Sequence, residues 1–263
     1  MNKFHIPEQL QMVRSFLLQS SAEFLELAPK QASFSQTASL FGQIGYVPHE
    51  MHIPRDILDK KMLLLAQINF SQLHAPAPFP QQGLVQFYVS ANCILTKQHF
   101  QGVLSQNNFK VIYIEQPDET ICTDTKMNPL PEMLFPIEQT LHLTANNVSE
   151  PVSKFDYRFH HFIPKEKVTQ SEQDENYSFD DIYLQYYSGA QHKVGGYAYF
   201  IQGDLRRHAL KLQHYDTLLL QIISDDSQGI MWGDSGVIKF FINYYDLVNL
   251  KFERSIMYVE DYT

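Results

Sequence analysis

The sequence is poor in the residues that staple small or secreted proteins together. Only two cysteines, Cys93 and Cys122, occur in 263 residues. They are too few for a disulfide framework and too far apart for a metal knuckle. Free thiols in a reducing cytoplasm are the expectation, with a single bridge as the alternative. Basic residues are also scarce: 20 Lys and Arg against 29 Asp and Glu leave a net charge of −9. That balance disfavours a nucleic-acid binder working through a basic surface. Long apolar runs are missing too. Stretches such as Met62–Ala66 fall far short of the roughly 18 residues that span a bilayer. Lys3, Glu8, Arg14, Glu23 and Glu26 interrupt the N-terminal stretch, so no apolar signal segment is expected there.

What is present is ordinary for a packed protein: 44% apolar and 19% charged residues. The length suits one large domain or two lobes and can bury a core without staples. Residues 7–28 read as an amphipathic helix that docks on the core. Pro7 suits a first helical position, and Leu10, Val13, Phe16, Leu17, Phe24 and Leu25 recur at helical spacing. Beyond it, short β-branched and aromatic runs predict strands at Met62–Asn69, Leu84–Val89, Lys110–Glu115, Tyr197–Ile201, Thr217–Ile223, Val237–Ile242 and Ser255–Val259. The proline-dense stretches His74–Pro80 and Pro117–Pro136 read as extended loops. The polar stretch 165–181 is a connector or the exposed start of a helix that runs into Tyr183–Tyr187.

The chain resembles itself. Gly42 and Gly195, Tyr46 and Tyr199, Gly83 and Gly236, and Phe87 and Phe240 all stand 153 residues apart. Between them Gln67 and Gln221 align at an offset of 154, each inside an apolar run. A near-constant offset implies a duplication, with halves at about 35–160 and 185–263 hiding their apolar faces against each other. The fold expected is α+β, predominantly antiparallel β, with internally duplicated β-rich halves and an N-terminal helix. The whole of 1–263 is expected to form one domain.

Three C-terminal blocks, residues 192–202, 218–225 and 229–236, resemble those of the YwqG-like family, a widespread bacterial family of unknown function. Phe41-Gly42, the strand Leu65–Ile68, Gly83–Phe87 and Glu150–Tyr157 resemble its earlier blocks. The resemblance implies a duplicated, mainly β fold and no particular activity. The sequence departs from the pattern at Gln43, Ala198 and Ile223, where a second glycine, a proline and an aspartate are common.

Candidate chemistry is sparse. Gly233-Asp-Ser-Gly236 matches the tetrapeptide around a trypsin-like nucleophile, but no Ala-His-Cys block accompanies it, and a Gly-rich turn entering the strand Val237–Ile242 is the expectation. Asp225, Asp226 and Asp234 fail the EF-hand register. His49-Glu-Met-His52, His160-His161 and the pair His208 and His214 lack zinc-ligand spacing, so no metal, cofactor or catalytic residue is assigned. The leading expectation is a cytoplasmic, non-catalytic binding or interaction protein. Its ligand is a protein or small molecule, not nucleic acid or membrane, held in the cleft between the halves. The candidate ligand-binding residues are Tyr199, Gln221, Asp225, Trp232 and Asp234. Two alternatives stand beside it: a hydrolase using Asp225, Asp234 or Ser235 with a distant histidine, and an inhibitor or immunity-type protein whose acidic surface meets a basic partner. An enzyme is the less favoured of the classes, and nothing in the sequence sets an oligomeric state.

Overall fold

The computed structural model describes residues 4–48, 51–92, 102–104, 106–118, 135–174 and 178–262. Cys93, Cys122, His49 and Glu50 lie outside the described residues. The chain is α+β and its strands pair antiparallel throughout. The strands are β1 (Ala22–Lys30), β2 (Leu40–Phe41), β3 (Leu63–Asn69), β4 (Leu84–Val89), β5 (Gly102–Leu104) and β6 (Phe109–Ile114). They continue with β7 (Leu141–Glu150), β8 (Lys193–Gly195), β9 (Thr217–Ile223), β10 (Val237–Ile242) and β11 (Ile256–Glu260).

All join one sheet in the order β5-β11-β10-β9-β8-β1-β7-β2-β3-β4-β6. β11, β10, β9 and β8 lead inward to β1 as β6, β4, β3 and β2 lead to β7, with β5 added outside β11. The first strand of each set is exchanged: β1 pairs with β8, whereas β7 pairs with β2. β3 and β9 also share a defect, since the register slips at Leu65 in one and at Leu219 in the other. The outermost strands, β5 and β6, are neighbours in the chain, so the sheet curls almost shut. Gln106 Nε2 donates to Ser255 O across that gap (2.6 Å), and Tyr113 stacks on Phe252 with ring centroids 5.2 Å apart.

Curling explains the apolar runs. Every residue of β3, β4 and β10 is buried, because the inner face meets the facing strands and the outer face is covered by helices and loops. On the inner face Phe87 of β4 meets Phe240 of β10 at 4.8 Å. A single helical turn, α2 (Phe70–Leu73), follows β3, and on the outer face helices α3 (Phe159–Phe162), α4 (Lys165–Asp174) and α5 (Phe179–Tyr187) pack with Leu10, Val13 and Leu17. α4 and the start of α5 occupy the polar stretch 165–181.

The N-terminal helix is shorter than its spacing implies. A 3-10 turn over Glu8–Val13 leads into α1 (Arg14–Gln19), and the helix stops as Ser20 donates N–H to Phe16 O and Oγ to Leu17 O. Residues 22–30 form β1 instead. Backbone ladders to β7 on one side and β8 on the other outweigh the local helical spacing of Phe24 and Leu25. The strand expected at Tyr197–Ile201 is also absent; β8 ends at Gly195, where two successive glycines at φ +84° and +70° turn the chain out of the sheet.

Candidate functional site

Gln221 is completely buried on β9 and clamps a neighbouring loop. Its Oε1 accepts the Tyr199 N–H (2.7 Å), and its Nε2 donates to Gly189 O (2.9 Å) and Gln191 O (2.8 Å). Gln67 repeats the arrangement on β3. It accepts the Tyr46 N–H (2.9 Å) and donates to Gln36 O (2.9 Å) and Ala38 O (2.7 Å). The loop partners of the two amides stand 153 residues apart, one for one. A buried amide needs partners, and backbone groups of this chain satisfy both.

The other candidates fall elsewhere. Trp232 is buried in the inner core with Ile222. Ile222 and Gln221 are successive on β9 and point to opposite faces, so Trp232 and Gln221 are separated by the sheet. Asp225 caps the turn after β9, its Oδ1 accepting from Ser227 N–H (3.1 Å) and Oγ (2.6 Å). Asp234 is exposed in the turn whose corner, Ser235, has φ +51°. Tyr262 ties two of them: its N–H donates to Asp234 O, and its Oη lies 3.0 Å from Tyr199 Oη. The five residues are not gathered around one opening.

His192, which the sequence reading did not single out, stands beside Asp225. Its Nδ1 accepts the Ile223 N–H (3.3 Å), which leaves the proton on Nε2, 3.7 Å from Asp225 Oδ2. Burial pushes the imidazole down to about 4, so it is neutral at pH 7. Its counterpart in the first half is Ser39, whose Oγ accepts the Asn69 N–H at 2.9 Å. The repeat offset is the signal that could have found it.

The ionic groups of the second half are sealed. Lys193 meets Glu150 at 2.8 Å, and Lys239 meets Glu260 at 2.5 Å, with both ammonium groups fully buried. Asp156, Asp204 and Arg206 form a further buried cluster with Arg158, and the Arg206 guanidinium lies 4.5 Å from the Phe241 ring centroid. Every one of these charges is partnered, which suits a structural role.

Open space lies on either side of the central strand pair, in two grooves related by the repeat. The one over β1 holds about 250 Å³ and includes Tyr186, Tyr187 and Gln191. The one over β7 holds about 600 Å³, and Ser33, Phe34 and Ala38 take the same three places. The smaller groove is narrowed by the chain itself. Tyr187 Oη donates to His5 O (2.5 Å), and the Phe4 ring meets Tyr187 at 5.6 Å. The larger one is open between the 33–38 loop and the turn carrying Gln72 and His74, with His142, Thr144 and Asn147 along its floor. None of its lining residues is a carboxylate, in a chain of net charge −9. The buried Nδ1 of His142 has no hydrogen-bond partner among the described residues. None of the five sequence candidates lines either groove.

The model of DUF1963, a domain of unknown function, matches residues 39–260. The chain belongs to that family. No curated protein matches it. The matched region takes in both clamping glutamines and the β7 residues of the larger groove, while the segment 33–38 that borders that groove precedes it. Among the described residues no three His, Cys, Asp or Glu come together as a metal-ligand set, and no helix is long and apolar enough to cross a membrane.

Proposed function

We propose that this DUF1963 protein is a non-catalytic, cytoplasmic binding protein of the YwqG-like type, whose ligand seats in the groove over β7, at the seam of the two halves. One observation carries this reading. Of two grooves related by the repeat, one is narrowed by the chain's own Phe4 and His5 to about 250 Å³ and the other stands open with about 600 Å³ to fill. The open one combines an apolar side chain, Phe34, with polar groups on Gln72, His142 and Asn147, the mixture that holds and orients a ligand.

The test uses Ser33→Tyr, which places in the first half the aromatic ring that its counterpart Tyr186 has in the second. A screen of soluble metabolites and short peptides by thermal shift is expected to give a ligand that stabilises the wild type. At about one hundred times its Kd such a ligand adds about 2.7 kcal/mol, a shift of several degrees in Tm. The variant is expected to keep its own Tm and lose the shift. An equal shift in both proteins would place the site elsewhere.

A further inference from the structure

We infer that the ligand of this groove is an extended peptide that adds as a strand to the open edge of β7; the inference rests on the groove reading above. The direction of the backbone groups on β7 follows from its partners. The even residues face β1, and Leu143 faces away, donating its N–H to Ser39 O at 2.9 Å. Ala145 and Asn147, two and four residues on, therefore also turn their N–H and C=O away from β1. β2 covers β7 only at Leu141 and His142. Among the described residues nothing pairs with the outward backbone of Ala145 or Asn147, and both residues line the groove.

The clamp explains why that edge is open. In line with β2, the segment 35–38 would be the natural partner of Ala145 and Asn147. Instead Ala38 N–H turns back to Ser35 O (3.1 Å), while Gln67 and Asn69 hold the carbonyls of Gln36, Thr37 and Ala38 over β3. The chain leaves β7, and among the described residues the outward backbone of Ala145 and Asn147 stays unpaired, with the Asn147 side chain reaching His74 O (3.3 Å).

The second half shows the same edge closed. Leu27 N–H donates to His192 O as Leu143 does to Ser39 O, so Pro29 of β1 corresponds to Ala145 of β7. A proline has no N–H to offer, and prolines on edge strands prevent unwanted pairing. At the equivalent place β7 carries alanine, with its donor intact. His74 and His142 line the groove at this edge and none of its lining residues is a carboxylate, so it accepts uncharged or acidic peptides. Backbone hydrogen bonds supply affinity, and Phe34 and His142 meet alternate side chains.

Hydrogen exchange on the free protein is the first check. The amides of Ala145 and Asn147 are expected to exchange much faster than those of Leu143 and Thr144; equal protection would mean that the edge is already covered. The second is selection of random displayed peptides on the wild type, followed by affinity measurement with Ala145→Pro, a change the fold already tolerates at Pro29. Selected peptides are expected to lose affinity about tenfold, as for one or two lost hydrogen bonds. On the wild type they are expected to protect the Ala145 and Asn147 amides, a readout that needs no variant. Peptides blocked by Ser33→Tyr but indifferent to Ala145→Pro, and giving no such protection, would overturn strand addition and leave the groove reading standing. If neither peptides nor metabolites depend on Ser33, both readings fall.

Discussion

Gln67 and Gln221 show how a polar residue in an apolar strand can be structural. Each amide uses its oxygen and both of its donors on backbone groups that flank a short strand, β2 for Gln67 and β8 for Gln221, and Gln67 Oε1 also accepts from Gln86 Nε2. Gln221→Leu keeps the volume but orphans the Tyr199 N–H and two carbonyls. An expected loss of about 2–4 kcal/mol follows from stranding buried polar groups, measured as a shift in the urea midpoint at unchanged slope. A loss below about 0.5 kcal/mol, the range of surface substitutions, would show that the clamp is dispensable. His192 yields a pH prediction. Its folded-state value of about 4 lies below the ordinary 6.5, so the unfolded chain binds more protons between those limits. Its contribution is therefore complete above about pH 6.5 and fades as the pH falls toward 4, by roughly 3 kcal/mol at most. His192→Asn is expected to flatten that part of the stability curve. An unchanged slope in urea titrations would assign the acid sensitivity to other groups.

Elements were legible where both faces of a strand are buried. Thr217–Ile223 and Val237–Ile242 are strands with the bounds the sequence indicates, because continuous apolar β-formers have no exposed alternative. β7 escaped notice since Thr144, Asn146 and Asn147 break the apolar pattern, and its pairing on β1 is a long-range choice. Where the repeat diverges, the strands show a substitution of one solution for another. β4 carries Gln86, which donates to Tyr46 O (2.5 Å); β10 carries Lys239 in its place, donating to Tyr199 O (2.8 Å) and Glu260. Burial pushes Lys239 down to about 8, and its partner on β11 is nearly as enclosed. Lys239→Gln alone is expected to cost roughly 3–5 kcal/mol, because Glu260 keeps a buried charge without its ammonium. Adding Glu260→Gln is expected to recover most of that, since the first half already folds around Gln86. A double-mutant cycle in denaturant with no coupling between the two sites would contradict the assignment.

At the scale of the whole molecule the exchanged strands decide the architecture. Because β1 pairs with β8 and β7 with β2, each half completes the other's sheet. The inner core is likewise shared, with Phe109 and Phe87 both against Phe240. Fragments 1–118 and 135–263, which part β1 from β8 and β7 from β2, are each expected to lack a cooperative thermal transition and dispersed amide resonances. A fragment that melts cooperatively alone would show that the halves are independent domains.

By itself the sequence determined the α+β class, the positions of β3, β4, β6, β9, β10 and β11, and the repeat, because these follow from local composition and from self-comparison. The family likeness lay in the same blocks. It did not reveal the exchange of β1 and β7, the end of the first helix at Ser20, or the groove. Each of those depends on which backbone groups find partners far along the chain, and Ser33, Phe34 and Ala145 have no chemistry that marks them in advance. Only the tertiary structure places them beside one another, by pulling the 35–38 loop onto β3 and leaving the edge of β7 uncovered.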